Sequence, residues 1–201
     1  MARLKASLAV FRRTGMAAAA AETLDRLAVL HAKEERFDES LRLYRESLVL
    51  LRRLDDWRNE IKILNRLADV RVRSGRYPEV LKTHPKALRI SRDRADSATE
   101  ADTLNHLSAA YFRMDLFSKA LDVAGRVYAI RSRRRNWVGM ADVLNSLGAI
   151  HVKLGRLAEA LEIWCDGRDL ALRRGLKKRE RRFDRSFKRF IRLHPSLSCP
   201  Y

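Results

Sequence analysis

Cysteine, proline and glycine are scarce in this chain, at 2, 4 and 8 of 201 residues. The two cysteines sit in Trp164-Cys165-Asp166 and Ser198-Cys199-Pro200 without ligand spacing, which excludes a disulfide framework and a cysteine-based metal cluster. So little Gly and Pro excludes a loop-rich, all-β or low-complexity chain. No apolar run approaches the length that spans a bilayer, and the expected location is the cytoplasm. A Gly-rich phosphate loop, a G-x-S-x-G elbow and a paired-carboxylate constellation are all missing. The five histidines, His31, His84, His106, His151 and His194, show no metal-ligand spacing. The expectation is therefore no enzymatic activity, no metal and no cofactor. Acidic residues are also in deficit: 43 Lys and Arg face 25 Asp and Glu, a net charge of +18. Such a surplus suits acidic protein segments, nucleic acid or anionic membrane.

What the chain has is a repeat. Rows of forty residues beginning at Ala21, Ile61, Ala101 and Ala141 align without a gap. Column four holds Leu24, Leu64, Leu104 and Leu144. Column seven holds Leu27, Leu67, Leu107 and Leu147. Column eight is small in every row (Ala28, Ala68, Ser108, Gly148), and column seventeen is Phe37, Tyr77, Phe117 and Leu157. Inside each row the apolar spacing is helical, as in Leu144, Leu147, Ile150 and Leu154. A break at Gly75-Arg76 or Gly155-Arg156 separates two helices, because Gly takes the left-handed conformation that ends a helix. Each row thus reads as a first helix over about columns 1–14 and a second over about columns 18–33. Pro85 falls inside the second helix of row two and predicts a bend or break near His84.

Row four, Leu144-Asn145-x-Leu147-Gly148-x-x-His151 followed by Gly155-Arg156-Leu157-x-Glu159-Ala160-Leu161, resembles a tetratricopeptide repeat of the long, forty-residue kind. HEAT and armadillo repeats share the period but lack the small residue at column eight paired with the Gly-Arg-aromatic turn. The resemblance covers residues 21–180, in rows 21–60, 61–100, 101–140 and 141–180. It implies an all-α, superhelical solenoid of antiparallel helix pairs. Two positions depart from the pattern: Arg71 stands where an aromatic is usual, and Gly167 where Ala or Ser is usual.

The flanks follow the same register. Residues 1–20 match the second helix of a preceding repeat, as a partial repeat or a cap, with an Arg-rich presequence as the rival reading. In residues 181–193, Phe183, Phe187, Phe190 and Ile191 share one face and basic residues cover the rest, which reads as a capping helix. A membrane-surface helix or a nucleic-acid patch is the alternative for this segment. Residues 194–201 read as a flexible tail.

The resemblance further implies a concave groove built by the first helices. Its expected occupants are Asn65, Asn105 and Asn145 of column five, Arg66 and Asp69 of row two, and the basic column Arg73, Arg113 and Lys153. Asn donates and accepts at once, which suits the main chain of an extended peptide. The basic column suits acidic side chains. The expected function is a non-enzymatic scaffold or adaptor that holds a peptide or helical segment of a partner protein. The alternatives are a regulatory fragment of a larger signalling or transcription-regulating protein, or a nucleic-acid-associated protein using its basic termini.

Overall fold

The structure, a computed structural model, describes residues 1–194. Among them lie ten helices and no strand: α1 Ala2–Arg13, α2 Ala17–Lys33, α3 Phe37–Arg53, α4 Trp57–Arg73, α5 Tyr77–Asp93, α6 Ser97–Arg113, α7 Phe117–Arg133, α8 Trp137–Lys153, α9 Leu157–Arg173 and α10 Lys177–Leu193. From α2 onward every helix is 17 residues long.

One turn, repeated, joins them. Its middle residue is left-handed at Gly15, Glu35, Asp55, Gly75, Ala95, Asp115, Arg135, Gly155 and Gly175. After α2, for example, the Arg36 N–H donates to the His31 carbonyl at 2.9 Å and the Glu35 N–H to that of Ala32 at 3.2 Å. This paired closure satisfies carbonyls that the helix end leaves open. The backbone therefore repeats every twenty residues, half the period of the sequence. It also starts each first helix four residues ahead of the row, at Ala17, Trp57, Ser97 and Trp137. By the same register α10 begins at Lys177 rather than at residue 181.

The chain divides into unit 1, residues 1–106, and unit 2, residues 107–201. In unit 1 the core is built on Leu24, Leu27, Leu41, Tyr44, Ile61 and Leu67, all almost fully buried. Each such aliphatic side chain contributes roughly 1.5–3 kcal/mol. Polar groups between helices are matched: Ser40 Oγ donates to the Ala28 carbonyl at 2.9 Å and Ser47 Oγ to that of Ala21 at 3.0 Å. Arg71 is buried and reaches α5, donating to the Glu79 carbonyl at 3.1 Å and to Thr83 Oγ1 at 2.9 Å. These partners accommodate a guanidinium where the pattern has an aromatic.

α5 runs unbroken from Tyr77 to Asp93 through Pro85, so the break expected there is absent. The proline is exposed, so its ring and the carbonyl it leaves unbonded lie on the water side rather than in the core. His84 beside it is fully buried, its Nδ1 at 3.1 Å from the Val80 carbonyl.

In unit 2 two glycines set the packing. A Cβ on Gly148 of α8 would overlap the Trp164 indole of α9, and one on Gly167 of α9 would overlap the Phe183 ring of α10. The missing side chain at Gly167 thus makes room for a phenylalanine. Trp164 meets Phe187 and Phe190 edge-on at 6.1 and 5.5 Å between ring centres and donates from Nε1 to the Asn145 carbonyl at 3.2 Å. Phe183, Phe187 and Phe190 are buried, whereas Ile191 is 40% exposed and stands outside the apolar face expected of it. The tail expected over 194–201 lies, from residue 195, outside the described residues.

Candidate functional site

Unit 1 holds a cavity of about 640 Å3 bounded by α2, α3, α4 and α6. α4 supplies Arg58, Lys62, Asn65, Arg66, Asp69, Val70 and Arg73. Their spacing of three and four puts them on one helical face. Thr99, Asp102, Asn105 and His106 of α6 follow the same rule, and α2 adds Val29, Ala32 and Lys33. Tyr44 comes alone from α3.

Five residues singled out from the sequence meet here: Asn65, Asn105, Arg66, Asp69 and Arg73. Arg113, Asn145 and Lys153 belong to unit 2 and do not line this cavity. Arg58 and Thr99 escaped the sequence reading because they precede the rows, in the four residues by which the helices start early. Tyr44 escaped it because column twenty-four of the second helix is a core column, filled elsewhere by His84, Ala124 and Trp164. The signal that marks it is a hydroxyl in an apolar column, since a buried tyrosine needs a partner for its O–H.

The cavity wall is charged but ordered. Row one carries Asp25 where the other rows carry Asn. Asp25 is buried, accepts a hydrogen bond from Arg66, and has Lys62 Nζ 3.9 Å away. Arg73 donates to the Ala32 carbonyl at 3.0 Å, and its guanidinium lies 5.4 Å from the centre of the Phe37 ring. Five basic and two acidic side chains line the space, so it favours negative charge overall. Burial, reinforced by Asp25, pushes the Tyr44 phenol well above its ordinary pKa and keeps it a neutral donor. Behind His106, whose ring centre is 6.1 Å away, burial lowers His84 to about 4.

The three asparagines do not behave alike. Asn65 Oδ1 accepts from Thr103 Oγ1 at 3.2 Å, tying α4 to α6. Asn145 Oδ1 accepts from Ser186 Oγ at 2.9 Å, tying α8 to α10. Asn105 has no such tie among the described residues and is half-buried at the cavity. Among the described residues no three His, Cys, Asp or Glu side chains gather as a metal site, and no helix is long and apolar enough to cross a membrane.

The sequence profile of the tetratricopeptide repeat matches residues 18–93 and, overlapping, 59–133. The chain belongs to the tetratricopeptide repeat family. No curated protein matches it in sequence. Solved structures share the fold. The apo form of RapI superposes with a TM-score of 0.73 at 15% identity, over 88% of this chain and 72% of that one. A Rap protein complexed with Competence and Sporulation Factor also gives 0.73, at 16% identity, over 81% of this chain and 46% of that one. A putative kinesin light chain of Podosopora anserina with nearly identical TPR-like repeats gives 0.66 at 14% identity, over 76% and 75%. The fold is accordingly the all-α array of tetratricopeptide helix hairpins that the repeat in the sequence implies.

Proposed function

We propose that this tetratricopeptide repeat protein is an interaction scaffold that holds an extended, acidic-flanked segment of a partner protein in the unit 1 cavity. The observation that carries the reading is the lining itself. Asn105 and Asn65 present amides that can donate to and accept from a peptide main chain, while Lys33, Lys62 and Arg58 surround them with positive charge. Three cations in excess of the two carboxylates favour a partner segment carrying Asp or Glu. A Rap protein has been solved with Competence and Sporulation Factor bound, a precedent within the fold for such use.

The test selects dodecapeptides from a random phage-displayed library on the full chain. The recovered sequences are expected to be enriched in Asp and Glu. Asn105→Ala is expected to weaken the best synthetic dodecapeptide about tenfold by calorimetry, from the loss of one hydrogen-bonded pair, with the melting temperature unchanged. Affinity that does not respond to Asn105→Ala removes the cavity from the mechanism.

A further inference from the structure

Tyr44 is the one contribution of α3 to the cavity, and it is only 2% exposed. Buried hydroxyls elsewhere in unit 1 are matched: Ser40, Ser47 and Thr103 each donate to an oxygen of the chain. The Tyr44 hydroxyl is different, for no group among the described residues hydrogen-bonds it. Tyr44 lines the cavity, so its hydroxyl is left for a group that enters that space, and a bound segment that brings an acceptor there gains the hydrogen bond the chain does not make.

The surroundings decide what that group is. The charges that act on the hydroxyl are Asp25, Arg66, Asp69 and Arg73, two of each sign. Asp25 and Arg66 are engaged with each other, and Arg73 is turned to the Ala32 carbonyl. An anion at the hydroxyl would meet the Asp69 and Asp25 carboxylates, and a cation the two guanidiniums. A neutral acceptor takes the O–H and leaves the balance intact. Row one, moreover, lacks an asparagine in column five, because Asp25 replaces it and is bound to Arg66.

The geometry points to Tyr44 as the donor to a neutral amide carbonyl of the bound peptide, supplying from the second helix of row one what Asn65 and Asn105 supply from the first helices of rows two and three. This rests on the proposal that the cavity holds a peptide. The acidic side chains of that peptide then belong at the basic residues of the same lining, Lys33, Lys62 and Arg58.

Two arms test it on the full chain. In the first, tyrosine is labelled with 13C at Cζ, and the Tyr44 signal is identified by its absence from Tyr44→Phe. N-methylacetamide is expected to move that signal saturably, and sodium acetate at equal ionic strength to leave it in place. The inference fails if acetate moves it and the amide does not, or if neither does. In the second arm, the selected dodecapeptide is measured against Tyr44→Phe, which should bind about tenfold more weakly at both low and high salt. Because the hydroxyl has no partner in the fold, Tyr44→Phe should melt no lower than the parent. A dodecapeptide weakened by Asn105→Ala but not by Tyr44→Phe overturns the role of Tyr44 and leaves the cavity reading standing. One insensitive to Asn105→Ala overturns the cavity reading, while the amide titration still reports on Tyr44.

Discussion

His84 is fully buried with its Nδ1 against the Val80 carbonyl, and it is neutral in the folded chain at any pH above about 4. The unfolded chain takes up a proton near 6.5. Between these values only the unfolded state is protonated, so stability present above pH 6.5 is lost as the pH falls toward 4. The difference is worth about 3 kcal/mol at most. His31 and His151, both lowered chiefly by burial, act in the same direction. Urea denaturation at pH 7 and pH 5 should show the loss, and His84→Leu should flatten it; an unchanged pH slope in that variant would assign the effect elsewhere. Gly167 offers a second single-residue test. Alanine there gains about 1 kcal/mol of helix propensity, but its Cβ must displace the Phe183 ring, and overpacking of this kind costs typically 1–3 kcal/mol. Gly167→Ala is expected to lower the melting temperature, and Phe183→Leu in the same chain to recover part of it.

Among the elements, α5 shows how far local sequence can be read. A proline in its interior predicts a bend or a break, and the helix is continuous through it. What sequence alone does not reveal is which side of α5 faces water; with Pro85 outside, the missing N–H is a local cost rather than a fatal one. That cost is still present. Pro85→Ala restores the bond to the Leu81 carbonyl and is expected to stabilise unit 1 by about 1–3 kcal/mol, less what proline saves by restricting the unfolded chain. Guanidinium denaturation checks it, and a destabilised variant would mean that Pro85 packs in a way its exposure does not convey. The first helices were legible for the opposite reason: their apolar columns face a buried neighbour in every row, so Leu24, Leu64, Leu104 and Leu144 advertise themselves. Tyr44 was not, since a tyrosine in a core column looks like packing until the cavity beside it is seen.

At the scale of the whole molecule, the forty-residue period and the hairpin architecture were plain in the sequence, and the division near residue 106 was not, because row three has the same columns as its neighbours. Within unit 1 the columns bring together Asn65, Asn105, Arg66, Asp69 and Arg73, which line one cavity. Column reasoning then extended it to Arg113, Asn145 and Lys153, which a shared column does not place in the same cavity. The twenty-residue backbone period was hidden by its own chemistry. Only Gly15, Gly75, Gly155 and Gly175 announce the left-handed turn, while Glu35, Asp55, Ala95, Asp115 and Arg135 adopt it without the residue that signals it.

That half-period gives the chain two clocks running at different rates. The main chain returns to its starting phase after every helix and turn, while the side chains return only after every second one. Excising residues 17–56 keeps both clocks in step and joins Met16 to Trp57, so α4 follows α1 as α2 did. Excising residues 17–36 joins Met16 to Phe37 through an equally good turn, yet sets α3 in the slot of a first helix with its apolar face turned the wrong way. Circular dichroism should find helix in both products and a cooperative melt only in the first. If the shorter excision melts as sharply as the longer, the identity of each helix resides in the turns rather than in the faces they present.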